Sequence, residues 1–226
     1  MGRPRMIVIG LDCAPPELVF ERYRDSMPNV SAMMERGTWG PLRSSEPPIT
    51  VPAWTCMVSG RDPGELGLYG FRNRVAGTTD LRMATGADVR VKRVWDWLGE
   101  RGHRVASLFV PLTSPPSPVR GHMVSGFMHP GGDAPWCFPR ELEAELQARF
   151  GPYLSDVDDF RSDDLDRIYA DIVAMTRQHF AIATSVWEEK QPDFMMMVEI
   201  AVDRFHHAFW RHIDPSHPRH EPGNPY

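Results

Sequence analysis

Three short stretches of the chain are apolar almost without a break: Met6 to Leu11, Val105 to Val110 and Phe194 to Ile200. They are too short for buried helices, and Gly, Pro or charged residues lie close on either side. Each predicts a strand buried on both faces of a parallel sheet. Met123 to Ser125 predicts a further short strand, and Thr38 to Ser44 another. Between them the apolar positions recur at helical spacing. Pro15 to Arg24 predicts a short helix opened by proline, whose missing N–H is harmless there. Asn29 to Arg36 predicts a second, ended by Gly37. Pro52 to Ser59 predicts a third, with Thr50 or Val51 near its cap and Gly60 at its end. Val91 to Glu100 places Val91, Val94, Trp95 and Leu98 on one face. Pro139 to Phe150, Asp164 to Lys190 and Arg204 to Arg211 complete the set, with Asp163 or Ser162 as the expected cap of the long one. Asp62 to Asp88 is Gly-rich and weakly patterned, and reads as a long loop of the kind that often serves function. Strands alternating with helices predict an α/β fold with a mostly parallel central sheet and helices on both faces.

Composition narrows the partners. The 226 residues are 42% hydrophobic and 24% charged, enough for a real core. A net charge of −5 with no basic stripe argues against a nucleic-acid groove. No run approaches the ~18 apolar residues of a membrane-spanning helix. Cys13, Cys56 and Cys137 are odd in number and far apart, which predicts reduced thiols and a cytoplasmic protein. Nothing in the chain bears on its oligomeric state. The Pro- and His-rich segment 212–226 predicts a loose tail. Residues 1–226 then read as the N-terminal part of a single catalytic domain, truncated so that the sheet is incomplete.

The candidate chemistry sits where strands end. Asp12 follows the first apolar run, and Asp203 follows the last. Ligands of open α/β sheets gather beyond the carboxyl ends of strands. Asp203 and His207 are four residues apart, so on a helix they share a face and can grip one divalent ion. Thr50, just ahead of Pro52, places a hydroxyl at a helix N-terminus, where backbone N–H groups favour an anion. Each has a plainer alternative. Asp12 could cap Pro15 to Arg24, Asp203 the last helix, and Thr50 its own. His207 alone could be a half-buried helix histidine. A threonine hydroxyl is a poor nucleophile unless a metal or base activates it, so these readings stand or fall together.

The ordered set Ile7-Val8-Ile9-Gly10-Leu11-Asp12, Thr50-Val51-Pro52-Ala53-Trp54, Ser59-Gly60-Arg61-Asp62-Pro63, Val110-Pro111-Leu112-Thr113, Ser125-Gly126-Phe127 and Asp203-Arg204-Phe205-His206-His207 resembles the alkaline phosphatase superfamily. The likeness is to its type I phosphodiesterase/nucleotide pyrophosphatase branch. That resemblance implies hydrolysis of a small-molecule phosphate ester, a phosphodiester or pyrophosphate, through a covalent phosphothreonine at Thr50. It implies two divalent ions, zinc with manganese as the alternative. Asp12 and Thr50 match ligands of one, and Asp203 and His207 match ligands of the other.

The chain also departs from that pattern. The family supplies further ligands from an Asp-His pair and another histidine, and no Asp-His dipeptide occurs here, while His217 and His220 come too soon. Phe71 stands near the register of an asparagine that touches phosphate in the family. Arg72 and Asn73 beside it are the expected substrate contacts. Without the further ligands, the alternative is a non-catalytic binding or scaffold module that retains the fold. A sulfatase would need Cys/Ser-x-Pro-x-Arg where Thr50-Val51-Pro52-Ala53-Trp54 stands. A phosphotransferase would use the same site with a different acceptor. Met195 to Met197 reads as core strand rather than a metal site. The acidic stretch from Asp156 to Asp164 reads as solvated and capping.

Overall fold

The structure is a computed structural model that describes residues 5–225. A five-stranded sheet runs in the order β1-β7-β4-β5-β6, with β1 at Met6–Leu11, β4 at Val105–Val110, β5 at Gly121–Ser125, β6 at Cys137–Phe138 and β7 at Phe194–Glu199. All neighbours are parallel except β5 and β6. The expected mostly parallel α/β architecture is present. β4 and β7 are buried at every residue, as near-continuous apolar runs require of strands covered on both faces.

The alternation of side chains across β7 divides the core. Met195 and Met197 face Leu142, Leu146, Ile182 and Ala183 on helices α5 (Glu141–Phe150) and α6 (Leu165–Ser185). Phe194, Met196 and Val198 face Trp54, Val58 and Trp95 on α2 (Thr50–Ser59) and α4 (Val94–Glu100). The methionine triplet is therefore core strand, shared by two layers. Helix α7 (Ala201–Ile213) packs on α6 through Phe209, Ile168, Ile172 and Met175.

Several expectations are corrected. β1 is a strand, but not a buried one: Met6 is 60% exposed and Ile9 52%, because β1 lies at the sheet edge while β7 lies inside. Residues 38–44 form no strand; Pro41 interrupts them and they stay exposed without a sheet partner. The 62–88 loop holds a helical turn, α3 (Pro63–Leu66), and a hairpin of β2 (Arg72–Arg74) and β3 (Leu81–Met83). Within Pro15–Arg24 the expected short helix is present at Glu17–Arg22, but in the wider π form. α6 is capped by Asp164, which accepts from the Arg167 N–H, rather than by Asp163 or Ser162. The chain after α7 is a series of turns. His220 Nδ1 lies 3.1 Å from the Arg211 carbonyl, and Asn224 donates to the His212 carbonyl at 2.9 Å.

Candidate active site

Parallel pairing brings two strand ends together. Leu11 on β1 is level with Glu199 on β7, and the Asp12 N–H donates to the Glu199 carbonyl at 2.9 Å. Asp12 thus emerges beside the start of α7, which carries Asp203 and His207. Thr50 arrives from the same side at the first residue of α2. This is the crevice beyond the carboxyl ends of parallel strands.

The plainer roles do not hold. Thr50 is inside the first turn of α2, Ile49 takes the cap position, and no side chain caps that helix. The Thr50 hydroxyl instead donates to Asp12 Oδ2 at 3.3 Å. Asp12 caps nothing: the wide turn after it has no side-chain cap bond. Its other oxygen accepts from the Trp54 indole N–H at 2.6 Å. Asp203 also caps nothing, because α7 begins at Ala201. One Asp203 oxygen accepts from the Cys13 thiol at 3.1 Å; the other binds Arg204 and lies 3.6 Å from His207 Nε2. The spacing of four does place Asp203 and His207 on one helix face.

The carboxylates are buried, Asp12 at 5% exposure and Asp203 at 9%. Burial raises the Asp12 carboxyl above its ordinary range; the Trp54 hydrogen bond opposes that, and the Asp203 charge raises it further. Burial, then the bond to Asp203, pushes the Cys13 thiol up to about 12. Arg204 is the nearby counter-charge. Burial works against its proton, but hydrogen bonds and charge from Asp156, with the Asp203 charge, hold it above its ordinary value. Asp156 grips Arg204 with both oxygens, at 2.5 and 2.8 Å. The guanidinium also lies over the Phe160 ring, 4.1 Å from its centre.

Sequence reasoning missed three of these residues. Trp54 reaches Asp12 only because Gly10 is bare: a Cβ there would sit 2.4 Å from the indole ring. Both residues stand inside the quoted motifs, but nothing in the spacing shows that they touch. Asp156 was read as solvated and is the anchor of Arg204, 48 residues away. Cys13 was read only as a reduced thiol.

Thr50 borders two clefts. One, of about 330 Å³, is lined by Phe71, Phe127, Phe160, Asp203, Arg204 and His207 among others. The second, a broad groove, runs past Asp12, Trp54 and the 42–49 loop. Arg72 and Asn73 line neither. Asn73 braces its own turn instead, accepting from the Tyr69 N–H at 2.8 Å and donating to the Gly70 carbonyl at 2.9 Å. Phe71, next to them, is the residue of that hairpin that faces the cleft.

The donor set fits a divalent ion. Asp12, Cys13 and Asp203 each offer one ligand atom within 4.8 Å of the others. Arg204 is the counter-charge to Asp203 and to Asp156, and Asp12 feels it only at a distance, a charge balance that a cation would improve. Among the described residues no helix is long and apolar enough to cross a membrane.

No curated protein matches the chain. Four solved chains match it in structure. One is the phosphonoacetate hydrolase of Sinorhizobium meliloti 1021, solved in complex with phosphonoformate. It superposes with a TM-score of 0.61 at 18% identity, over 96% of this chain and 49% of its own. The chain therefore spans about half the length of that protein. The sequence profile of type I phosphodiesterase/nucleotide pyrophosphatase matches residues 6–220. The chain belongs to the type I phosphodiesterase/nucleotide pyrophosphatase family, within the alkaline phosphatase superfamily, and has its fold.

Proposed function

We propose that this chain carries the nucleophile half of a metal-dependent hydrolase of small phosphate esters, a phosphodiester or pyrophosphate. The observation that carries this reading is the Thr50 hydroxyl. It stands in the first turn of a helix, spends no bond on capping, and donates to a buried carboxylate. It also faces a cleft that holds Asp203 and His207. The phosphonoformate bound by the structural neighbour supports an oxyanion-binding pocket in this fold.

Asp12 and Thr50 would hold one ion and Asp203 and His207 the other, zinc with manganese as the alternative. Such ions supply a lowered hydroxyl pKa and charge stabilisation. The chain's own residues do the rest. The α2 N-terminus, where Thr50 and Val51 carry backbone N–H groups and Pro52 carries none, binds the phosphoryl oxygens. Trp54 fixes the Asp12 carboxylate, and Asp12 orients the Thr50 hydroxyl. Thr50 Oγ attacks phosphorus; the new O–P bond forms as the bond to the leaving oxygen breaks. The proton from Thr50 ends on the departing alcohol. Water then cleaves the phosphothreonine ester and restores the hydroxyl. Phe71, Phe127 and Phe160 give the cleft beside Thr50 an apolar wall.

The test uses the protein encoded by the full reading frame that carries residues 1–226. Zinc- and manganese-loaded protein is assayed with bis-(p-nitrophenyl) phosphate. Metal-dependent turnover that Thr50→Ala removes supports the reading. Metal-free, inactive protein refutes it in favour of a binding module.

A further inference from the structure

Cys13 has no place in the reading above, yet it stands at its centre. It follows Asp12 directly and adopts a left-handed backbone, φ 59°. Its Sγ lies 3.1 Å from Asp203 Oδ1, across the gap between the ends of β1 and β7. One ligand atom from each of Asp12, Cys13 and Asp203 falls within 4.8 Å of the other two. Zn–S and Zn–O bonds of roughly 2.3 and 2.1 Å in a tetrahedron put neighbouring donors roughly 3.5 Å apart. The three atoms are therefore near coordinating distance before any ion binds. The carboxylates are nine-tenths buried, whereas Cys13 is exposed to solvent, which leaves an entry path.

We infer that Cys13 is a thiolate ligand in this group, joining Asp203 on the zinc-class ion assigned to Asp203 and His207, with Asp12 on the neighbouring ion. The inference rests on the metal reading above and makes it more specific. Binding forms an S–metal bond, breaks the S–H bond and releases the proton to solvent. A sulfur donor favours zinc, cobalt or cadmium over manganese or magnesium, which prefer oxygen. Serine at the same place keeps a similar shape and offers oxygen, so the choice of metal is set largely by one atom.

The test is a cobalt titration of this chain, read by absorption, alongside Cys13→Ser, Cys13→Ala and Asp12→Asn. A thiolate bound to Co²⁺ gives an intense near-ultraviolet charge-transfer band that oxygen ligands do not. The inference expects this band in the native chain and its loss in both Cys13 variants. Competition between zinc and manganese should shift towards manganese by about tenfold or more in Cys13→Ser. Thermal melts of the metal-free variants are the control that the fold is retained. Cobalt binding that Asp12→Asn weakens, but without the band and with an unchanged zinc preference in Cys13→Ser, overturns the Cys13 assignment alone. No cobalt binding in either the native chain or the Asp12→Asn variant overturns the assignment together with the metal reading.

Discussion

Trp54 donates its indole N–H to Asp12 Oδ1 at 2.6 Å, across the bare backbone of Gly10. Three motif residues thus form one unit: the glycine makes room, the indole fills it, and the carboxylate is held in place. A methyl group at position 10 would meet the ring at 2.4 and 2.8 Å. Gly10→Ala is therefore expected to cost about 1–3 kcal/mol through overpacking, read by urea unfolding. Trp54→Phe keeps most of the ring and removes the donor. It strands a buried Asp12 oxygen, which should cost about 1–3 kcal/mol, and it should also weaken metal binding. Unchanged metal binding in Trp54→Phe would contradict this role of the indole.

A second pair lies beneath the site. His179 and Glu199 are almost fully buried, with Nδ1 3.0 Å from Oε2. The Leu154 carbonyl faces His179 Nε2 at 2.8 Å, so that nitrogen must carry a proton. The Nδ1 contact then needs a proton of its own, held by one partner or the other. Glu199 also accepts from the Ala201 N–H, which ties the pair to the start of α7. Removing one partner strands the other. His179→Ala is expected to destabilise the fold by about 3–5 kcal/mol, measured by thermal or urea denaturation. A loss within about 0.5 kcal/mol would mean that this buried contact does not support the fold.

His122 on β5 supplies a pH dependence. Burial, then the Lys190 charge, lowers its pKa from the ordinary 6.5, while Glu145 opposes the shift. The folded chain therefore holds His122 neutral where the unfolded chain would protonate it. The unfolded state binds the extra proton, so stability rises with pH through this window. The contribution is full above about 6.5 and is lost as pH falls through the lowered value. Urea midpoints at pH 7.5 and 5.5 should differ less in His122→Gln than in the native chain. Identical slopes would remove His122 as the source.

The sheet edge carries a further expectation. Met6, Ile7, Ile9 and Leu11 on β1 are all exposed, on a strand with one open side. Open apolar edges template pairing with other chains. This chain should associate in a concentration-dependent way, and Ile9→Lys should suppress it. Sedimentation velocity that shows a monomer at all concentrations would contradict the expectation.

These particulars show how far the sequence could be read. The runs Val105–Val110 and Phe194–Ile200 named two inner strands, because strands covered on both faces are apolar nearly throughout. The same rule misplaced β1. An apolar run looks alike in the middle and at the edge of a sheet, and topology alone distinguishes them. β2 and β3, at three residues each, carry too short a period to read. The spacing of Asp203 and His207 was legible because helix geometry is local. Asp156 on Arg204, Trp54 on Asp12 and Cys13 on Asp203 were not legible. Each joins residues 42 to 190 positions apart through tertiary packing.

The account rests on Thr50 as nucleophile, and the direct measurement is the covalent intermediate. Metal-loaded protein from the full reading frame is mixed with bis-(p-nitrophenyl) phosphate, quenched in acid and digested. The peptide that contains Thr50 is then weighed. The account predicts a phosphoryl ester on Thr50, absent from Thr50→Ala, whose turnover falls by at least about a thousandfold. Turnover that survives Thr50→Ala, with no adduct on that peptide, would contradict it.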